Sequence, residues 1–350
     1  QPFAIYAVGL CGAFLFISTH WRRNVMVAFV FGVGVLLGMG VTAGFWFLEL
    51  WQRYGNPLFP YFNDVFQSPW AWPGPYRDER FLPKSVFDAL AFPFYFITQP
   101  FHSAEVPFRD ARITTWYVVL IVFLGAWLAR ISGAGRRLGL PTVAGGVSMD
   151  VRYLLAFMLL SFAAWLKLFS IYRYMVVLEF VAPLALWFMV RHVLGDGFAR
   201  RRVVVVMALA AMALVTKPGS WGRTQWSDSY FGVELPKVGP LENAVVLLTG
   251  YEPLSYVIPF FPKSARFFRI QSWFTAPSPT PNRSDELMQG VVREHTGPQY
   301  VLFRDTEGAM TVEALTAYGL RLDVDRCERF EPHVEQAIEE ALFFCAVVKT

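Results

Sequence analysis

Apolar residues run along this chain in long blocks, with neither the alternation of a half-buried strand nor the narrow stripe of a surface helix. Six blocks reach or approach the ~20 residues needed to cross a hydrocarbon core: 2–19, 25–48, 113–129, 152–171, 174–190 and 200–216. The pattern predicts an α-helical polytopic membrane protein of about six transmembrane helices. The first block lacks a basic leader and a small-residue cleavage site, which argues against a signal peptide. The last has an apolar core only from Val203 to Val215 and needs its flanks to span. Five or seven spans remain alternatives.

After residue 216 the pattern changes. Short apolar runs at 243–249, 266–270, 299–303, 320–324 and 341–348 read as strands. Helix signals lie between them: Ser284-Asp285-Glu286-Leu287 starts one that Gly297 closes, and Thr311 to Tyr318 is a second that Gly319 ends. Strand and helix alternate, so residues 217–350 are predicted to form an α/β domain. Residues 1–216 form the transmembrane domain.

Composition supports this division. Apolar residues make up 55% of the 350 and charged residues 17%, against about 25% charged in a soluble domain. The mean hydropathy is +0.39. Disorder is excluded, and three cysteines are too few for a disulfide-dense scaffold. The net charge of +4 has two sources. Residues 1–216 carry 18 basic and 10 acidic side chains, and residues 217–350 carry 13 and 17. The connections at 20–24, 130–152 and 191–202 together hold ten basic and two acidic residues. Alternation puts all three on one face, the cytoplasm by the positive-inside rule. The 49–112 loop and the C-terminal domain then lie outside the cytoplasm. The basic excess is thus a topology signal and not a nucleic-acid surface.

The 64-residue outer loop, 49–112, has nine aromatic residues between 49 and 76 and nine prolines between 49 and 107. This is not linker composition. Short interfacial helices broken by Pro57, Pro60, Pro69 and Pro83 fit it. Val86 to Phe101 reads as a re-entrant or surface-lying helix. Asn56, Asn63, Asp64, Asp78, Arg80, Lys84 and His102 punctuate the loop. They are either solvated charges on a structural lid or the wall of a site in which cations hold a phosphate and carboxylates bind sugar hydroxyls or take a proton. Asp78 and Arg80, two apart, converge only in a turn.

A second candidate group sits where spans four and five meet, at Lys167, Tyr172, Arg173 and Glu179. Glu179 lies about one and a half turns into span five, and an intramembrane carboxylate is a functional candidate by default. Seven residues separate Tyr172 from Glu179, which puts both on one helix face. The alternative is a structural Glu paired with an Arg or Tyr of a neighbouring helix. Pro183 removes a helix hydrogen bond and predicts a kink. Gly32, Gly34, Gly38 and Gly40 suit close helix packing. Cys327 and Cys345, in the last two strands outside the cytoplasm, are a disulfide candidate. No P-loop, dinucleotide fingerprint, HExxH or CxxC pair occurs, and the five histidines are scattered.

The run Tyr54-Gly-Asn-Pro-Leu-Phe-Pro-Tyr-Phe-Asn63, then Phe66-Gln-Ser-Pro69, Asp78-Glu-Arg-Phe81 and Ile171-Tyr-Arg-Tyr-Met-Val-Val-Leu-Glu179, resembles bacterial GT-C-type polytopic membrane glycosyltransferases. The resemblance covers nearly the whole chain as architecture, with short motifs. It implies a bacterial inner-membrane enzyme that transfers a sugar from a polyprenyl-phosphate donor to a glycan or lipid acceptor at the outer face, in envelope glycan assembly. Such enzymes usually place an acidic general base after their first span, a position that would precede Gln1. The expectation is therefore a C-terminal portion of such a protein. Some members use a divalent cation and others do not; no dedicated ligand cage is visible. The alternatives are a non-catalytic envelope assembly protein and a lipid-linked sugar transporter or flippase.

Overall fold

The computed structural model describes residues 3–137, 140, 147–194, 198–219, 226, 228–332 and 341–350. The chain is mostly helical, with a C-terminal five-stranded sheet. Contacts divide it into two compact units. One comprises residues 1–45 and 77–221, the other residues 46–76 and 222–350. The predicted 49–112 loop is therefore shared, its first part packing with the tail and its second with the helices.

The helical unit contains α1 (Ala4–Ala13), the start of α2 (Trp21–Tyr54), α4 (Val86–Thr98), α5 (Arg112–Ile131), α6 (Ala134–Arg137), α7 (Met149–Leu168), α8 (Val176–Leu194) and α9 (Phe198–Val215). The four-residue α3 (Asn63–Phe66) belongs to the other unit. Among the described residues, α2, α5, α7 and α8 are long and apolar enough to cross a membrane. Two predicted spans are not among these four. The first block is a ten-residue helix closed by a 3₁₀ turn at Phe14–Phe16. The last, α9, spends its first turn on Arg200, Arg201 and Arg202. Pro183 lies inside α8, which continues through it.

Local signals explain several ends. Ser85 Oγ accepts from Asp88 N at 3.1 Å and caps α4; Ser148 does the same for α7. Inside the unit, Trp116, Trp165, Phe92, Phe96, Met158 and Met175 are fully buried. Close helix packing occurs at Gly9, where a Cβ would collide with Ser161 of α7, and at Gly12, where it would meet Leu160. This corrects the expectation for α2. A Cβ on Gly34, Gly38 or Gly40 would meet nothing within 4 Å, and one on Gly32 would make an ordinary contact with Cys11.

The other unit carries β1 (Val245–Leu248), β2 (Arg266–Arg269), β3 (Gln299–Arg304), β4 (Leu320–Phe330) and β5 (Leu342–Lys349), with α10 (Arg283–Glu294) and α11 (Gly308–Ala317). The sheet order is β2-β1-β3-β5-β4. β1 pairs in parallel with β2 and β3, and β5 runs antiparallel to β3 and β4. Central strands buried on both faces should read as apolar runs, and all four residues of β1 are buried. A capping box between Asn282 and Asp285 starts α10. Cys327 and Cys345 are directly opposed across β4 and β5, 4.0 Å apart at Cα, and form a disulfide. Residues 54–76 join this unit through the start of α10. Arg283 N donates to Pro69 O at 2.9 Å, Ser284 Oγ to Trp70 O at 2.8 Å, and the Arg283 guanidinium covers the Trp70 ring at 4.6 Å.

Candidate functional site

The densest group of ionisable side chains in the helical unit is assembled from three segments. Asp110 ends the connection after α4, and its N–H donates to Phe96 O at 2.9 Å. Arg112 is the first residue of α5. Tyr172 lies in the 3₁₀ turn between α7 and α8, its N–H donating to Ser103 O at 2.7 Å. Glu179 sits in the first turn of α8, about half a turn nearer the helix start than expected, because the helix begins at Val176. Tyr172 therefore precedes α8, and its side chain reaches Glu179 from the preceding turn and not along one helix face.

Asp110 is fully buried. Arg112 grips it with a fork, Nε to Oδ1 at 3.1 Å and Nη2 to Oδ2 at 2.6 Å, and the Arg112 backbone N–H adds a bond to Oδ1 at 2.7 Å. The same Nη2 reaches Glu179 Oε2 at 2.7 Å and Tyr172 Oη at 3.1 Å. Tyr172 donates its hydroxyl to Asp110 Oδ2 and neighbours Glu179. Burial, then the two carboxylates, push the Tyr172 phenol above its ordinary value, so it stays a proton donor. Phe108 and Phe96 pack on its ring, with centroids at 3.8 and 5.9 Å. Asp110 and Glu179 are two carboxylates facing one guanidinium. That leaves one formal negative charge in a desolvated place, unless a proton or an added cation balances it. The Arg112 side chain is 35% exposed, which gives the group an outlet.

A looser charged layer adjoins on the segments flanking Tyr172. Arg80 holds Asp78 through Nε at 2.9 Å and Nη2 at 2.7 Å, in the turn their spacing required. The Arg80 hydrogen bond keeps the Asp78 carboxyl below its ordinary value. Arg173 pairs with Glu105 at 3.0 Å, and Asp78 and Arg173 are close enough to influence one another. Arg77 Nη2 donates to the backbone oxygen of Lys167, whose own ammonium end is on an exposed residue.

Sequence reasoning thus named Tyr172, Arg173, Glu179, Asp78 and Arg80, which the structure brings into these two layers. It missed Asp110 and Arg112. Their signal is an Asp-x-Arg at the junction of a polar loop and an apolar block, where an acid can accept the first free helix N–H groups. Other candidates lie elsewhere. Asn56 and Asn63 are buried and consumed by their own loop. Asn63 Nδ2 bonds Ser68 O, Ala71 O and Trp72 O, each at 3.0 Å, and Asn56 Nδ2 bonds Tyr61 O at 3.0 Å. Asp64 is exposed in that same segment. Lys84 is exposed beside Asp88, to which its backbone N–H donates. His102 packs on Phe92 and Tyr95, and burial lowers its pKa. Among the described residues no three His, Cys, Asp or Glu side chains are grouped to hold a metal ion.

Comparison of the chain with protein-family models, with curated proteins and with solved structures finds no match. Any functional reading therefore rests on this geometry and on the sequence motifs.

Proposed function

We propose that the chain belongs to a bacterial inner-membrane glycosyltransferase that moves a sugar from a polyprenyl-phosphate donor to a glycan or lipid acceptor. In this reading the Arg-rich connections face the cytoplasm, and the sheet-bearing tail lies outside it. About six spans cross the membrane, the two short apolar segments included. One observation carries the proposal: two buried carboxylates share a single, partly open guanidinium with Tyr172, and the next residue, Arg173, belongs to an arginine- and carboxylate-bearing group. Sugar transfer needs a group that accepts a proton from the acceptor hydroxyl and cations that hold the departing phosphate. Asp110, held by several donors, has little capacity left and acts as a positioning residue for Arg112. Glu179 keeps spare acceptor capacity and is the candidate base. Arg173 and Arg80 are the candidate phosphate contacts, exchanging Glu105 and Asp78 for the phosphate oxygens.

A proton-coupled carrier is the second reading, favoured by the same excess carboxylate among apolar helices. Reconstituted protein given a labelled polyprenyl-phosphate sugar separates the two. Label transfer to membrane acceptors that Glu179→Gln abolishes supports the enzyme. Flux driven by a pH gradient without transfer refutes it in favour of the carrier. Neither activity, across sugars, leaves an assembly role.

A further inference from the structure

The sheet-bearing unit has a cleft that the site above does not use. It measures about 300 Å3, and its walls are Trp72 and Tyr76 on one side and Ser272, Trp273, Phe274 and Thr275 on the other. Its place in the fold is informative. The 272–275 turn follows the carboxyl end of β2, and Tyr251, whose ring lies tilted by 32° against Trp273 with centroids at 4.1 Å, follows the carboxyl end of β1. These are parallel neighbours, and open α/β sheets bind ligands outside the carboxyl ends of such strands.

Both walls are braced before any ligand arrives. Asn63 holds the Trp72 carbonyl, and the Trp72 N–H donates to Tyr76 Oη at 2.7 Å. Opposite, Ser272 N donates to Thr275 O at 2.7 Å, Ser272 Oγ accepts from Phe274 N at 3.0 Å, and Thr275 Oγ1 donates to Asp285 Oδ1 at 3.1 Å. The Tyr76 and Phe274 rings stand nearly parallel, 9° apart in plane, with centroids separated by 6.1 Å. Yet Trp273 and Phe274 are 56% and 53% exposed. Rigid turns that spend hydrogen bonds to keep large aromatic faces in water mark a binding surface better than a packing remnant.

We propose that this cleft is a saccharide-binding subsite in which a sugar ring stacks on the Trp273 and Phe274 faces. A pyranose offers C–H groups on its flat face and hydroxyls at its rim; the exposed Trp273 and Phe274 rings suit the first, and the Ser272 hydroxyl, which so far only accepts hydrogen bonds from Phe274 N and Thr275 N, suits the second. The inference deepens the glycosyltransferase reading and rests on it for biological meaning, since it assigns the tail a role in holding glycan. Binding itself can be tested separately from transfer.

The experiment uses the full chain in detergent micelles with glucose, galactose, mannose, N-acetylglucosamine and their short oligomers. The readout is ligand-observed saturation-transfer NMR. Saturable binding with the strongest transfer to the C–H face is expected for at least one sugar. Trp273→Ala should weaken it at least tenfold, Trp273→Tyr should retain most of it, and Trp226→Ala, an exposed tryptophan that does not line the cleft, should leave it unchanged. Equal melting temperatures exclude misfolding as the cause. No saturable binding by any sugar overturns the inference, as does binding indifferent to Trp273→Ala. Trp273-dependent adsorption to phosphatidylcholine vesicles without sugar binding also overturns it, and makes the cleft a membrane-surface anchor. Sugar binding without transfer by the reconstituted protein sinks the transferase and spares the cleft. Transfer indifferent to Trp273→Ala, with no sugar binding, does the reverse.

Discussion

Replacing Arg112 with Gln tests whether the buried cluster is held by charge. The substitution keeps a polar side chain but removes the counter-charge from Asp110 and Glu179, whose side chains are 1% and 10% exposed. Breaking a buried ion pair by deleting one partner costs about 3–5 kcal/mol, because the remaining charge stays desolvated. Water reaches the partly open guanidinium, so the lower end, about 3 kcal/mol, is expected. For a unit of this size each kcal/mol moves the melting midpoint by about 2–4 °C, giving a fall of about 6–12 °C. The assay is thermal unfolding in a fixed detergent, run as a cycle with Asp110→Asn and Glu179→Gln. Neutralising all three groups should recover much of the loss, since the unpaired charges are then gone. A fall below about 2 °C, or single-variant losses that simply add, would refute the charge network.

Three further outcomes are expected. Asn63→Ala removes three donated bonds and the bond its Oδ1 accepts from Ser68 N at 2.8 Å; at about 1 kcal/mol net per bond, limited proteolysis should cut within residues 55–76 far faster, and an unchanged rate would contradict the role given to Asn63. Cys327 and Cys345 should resist alkylation in oxidised protein and react only after reduction, and free labelling beforehand would deny the bridge. Arg173→Ala, which breaks the contact with Glu105, should weaken binding of a polyprenyl-phosphate donor several-fold in the full-length protein; undiminished binding would remove Arg173 from the phosphate site.

The fold was legible where local rules decide it. The apolar blocks placed α5 (Arg112–Ile131), α7 (Met149–Leu168) and α8 (Val176–Leu194), with ends shifted by one to four residues, because span length is a sum over neighbours. β1 and β3 were legible because they are buried on both faces and read as unbroken apolar runs, whereas β4, largely exposed, runs on to Phe330 past its short apolar start. Local rules failed where distant partners decide. The glycines of α2 have the spacing of a packing face, yet the close approaches fall at Gly9 and Gly12, because contact with α7 is fixed by a helix about 150 residues away in sequence. Asn56 and Asn63 were candidate ligand contacts as polar amide residues in an aromatic, proline-rich loop. The same two donors and one acceptor serve equally well to close a proline-rich loop on itself, and only the fold shows which use prevails.

The cluster at Asp110 shows why the site was harder to read than the fold. Charge counting treated Arg109, Asp110 and Arg112 as loop charges and found the 49–112 segment close to neutral. Neutrality summed over 64 residues conceals imbalance at one point. Asp110 and Arg112 cancel along the sequence, but Glu179 arrives from another helix on the same guanidinium. Removing an isolated carboxylate from water costs several kcal/mol, so a fold shaped for stability alone would place a second cation there or leave Glu179 apolar. The uncompensated charge is therefore the feature that asks for a proton, a substrate or a moving cation. It arises only from the meeting of three segments, none of which carries it alone.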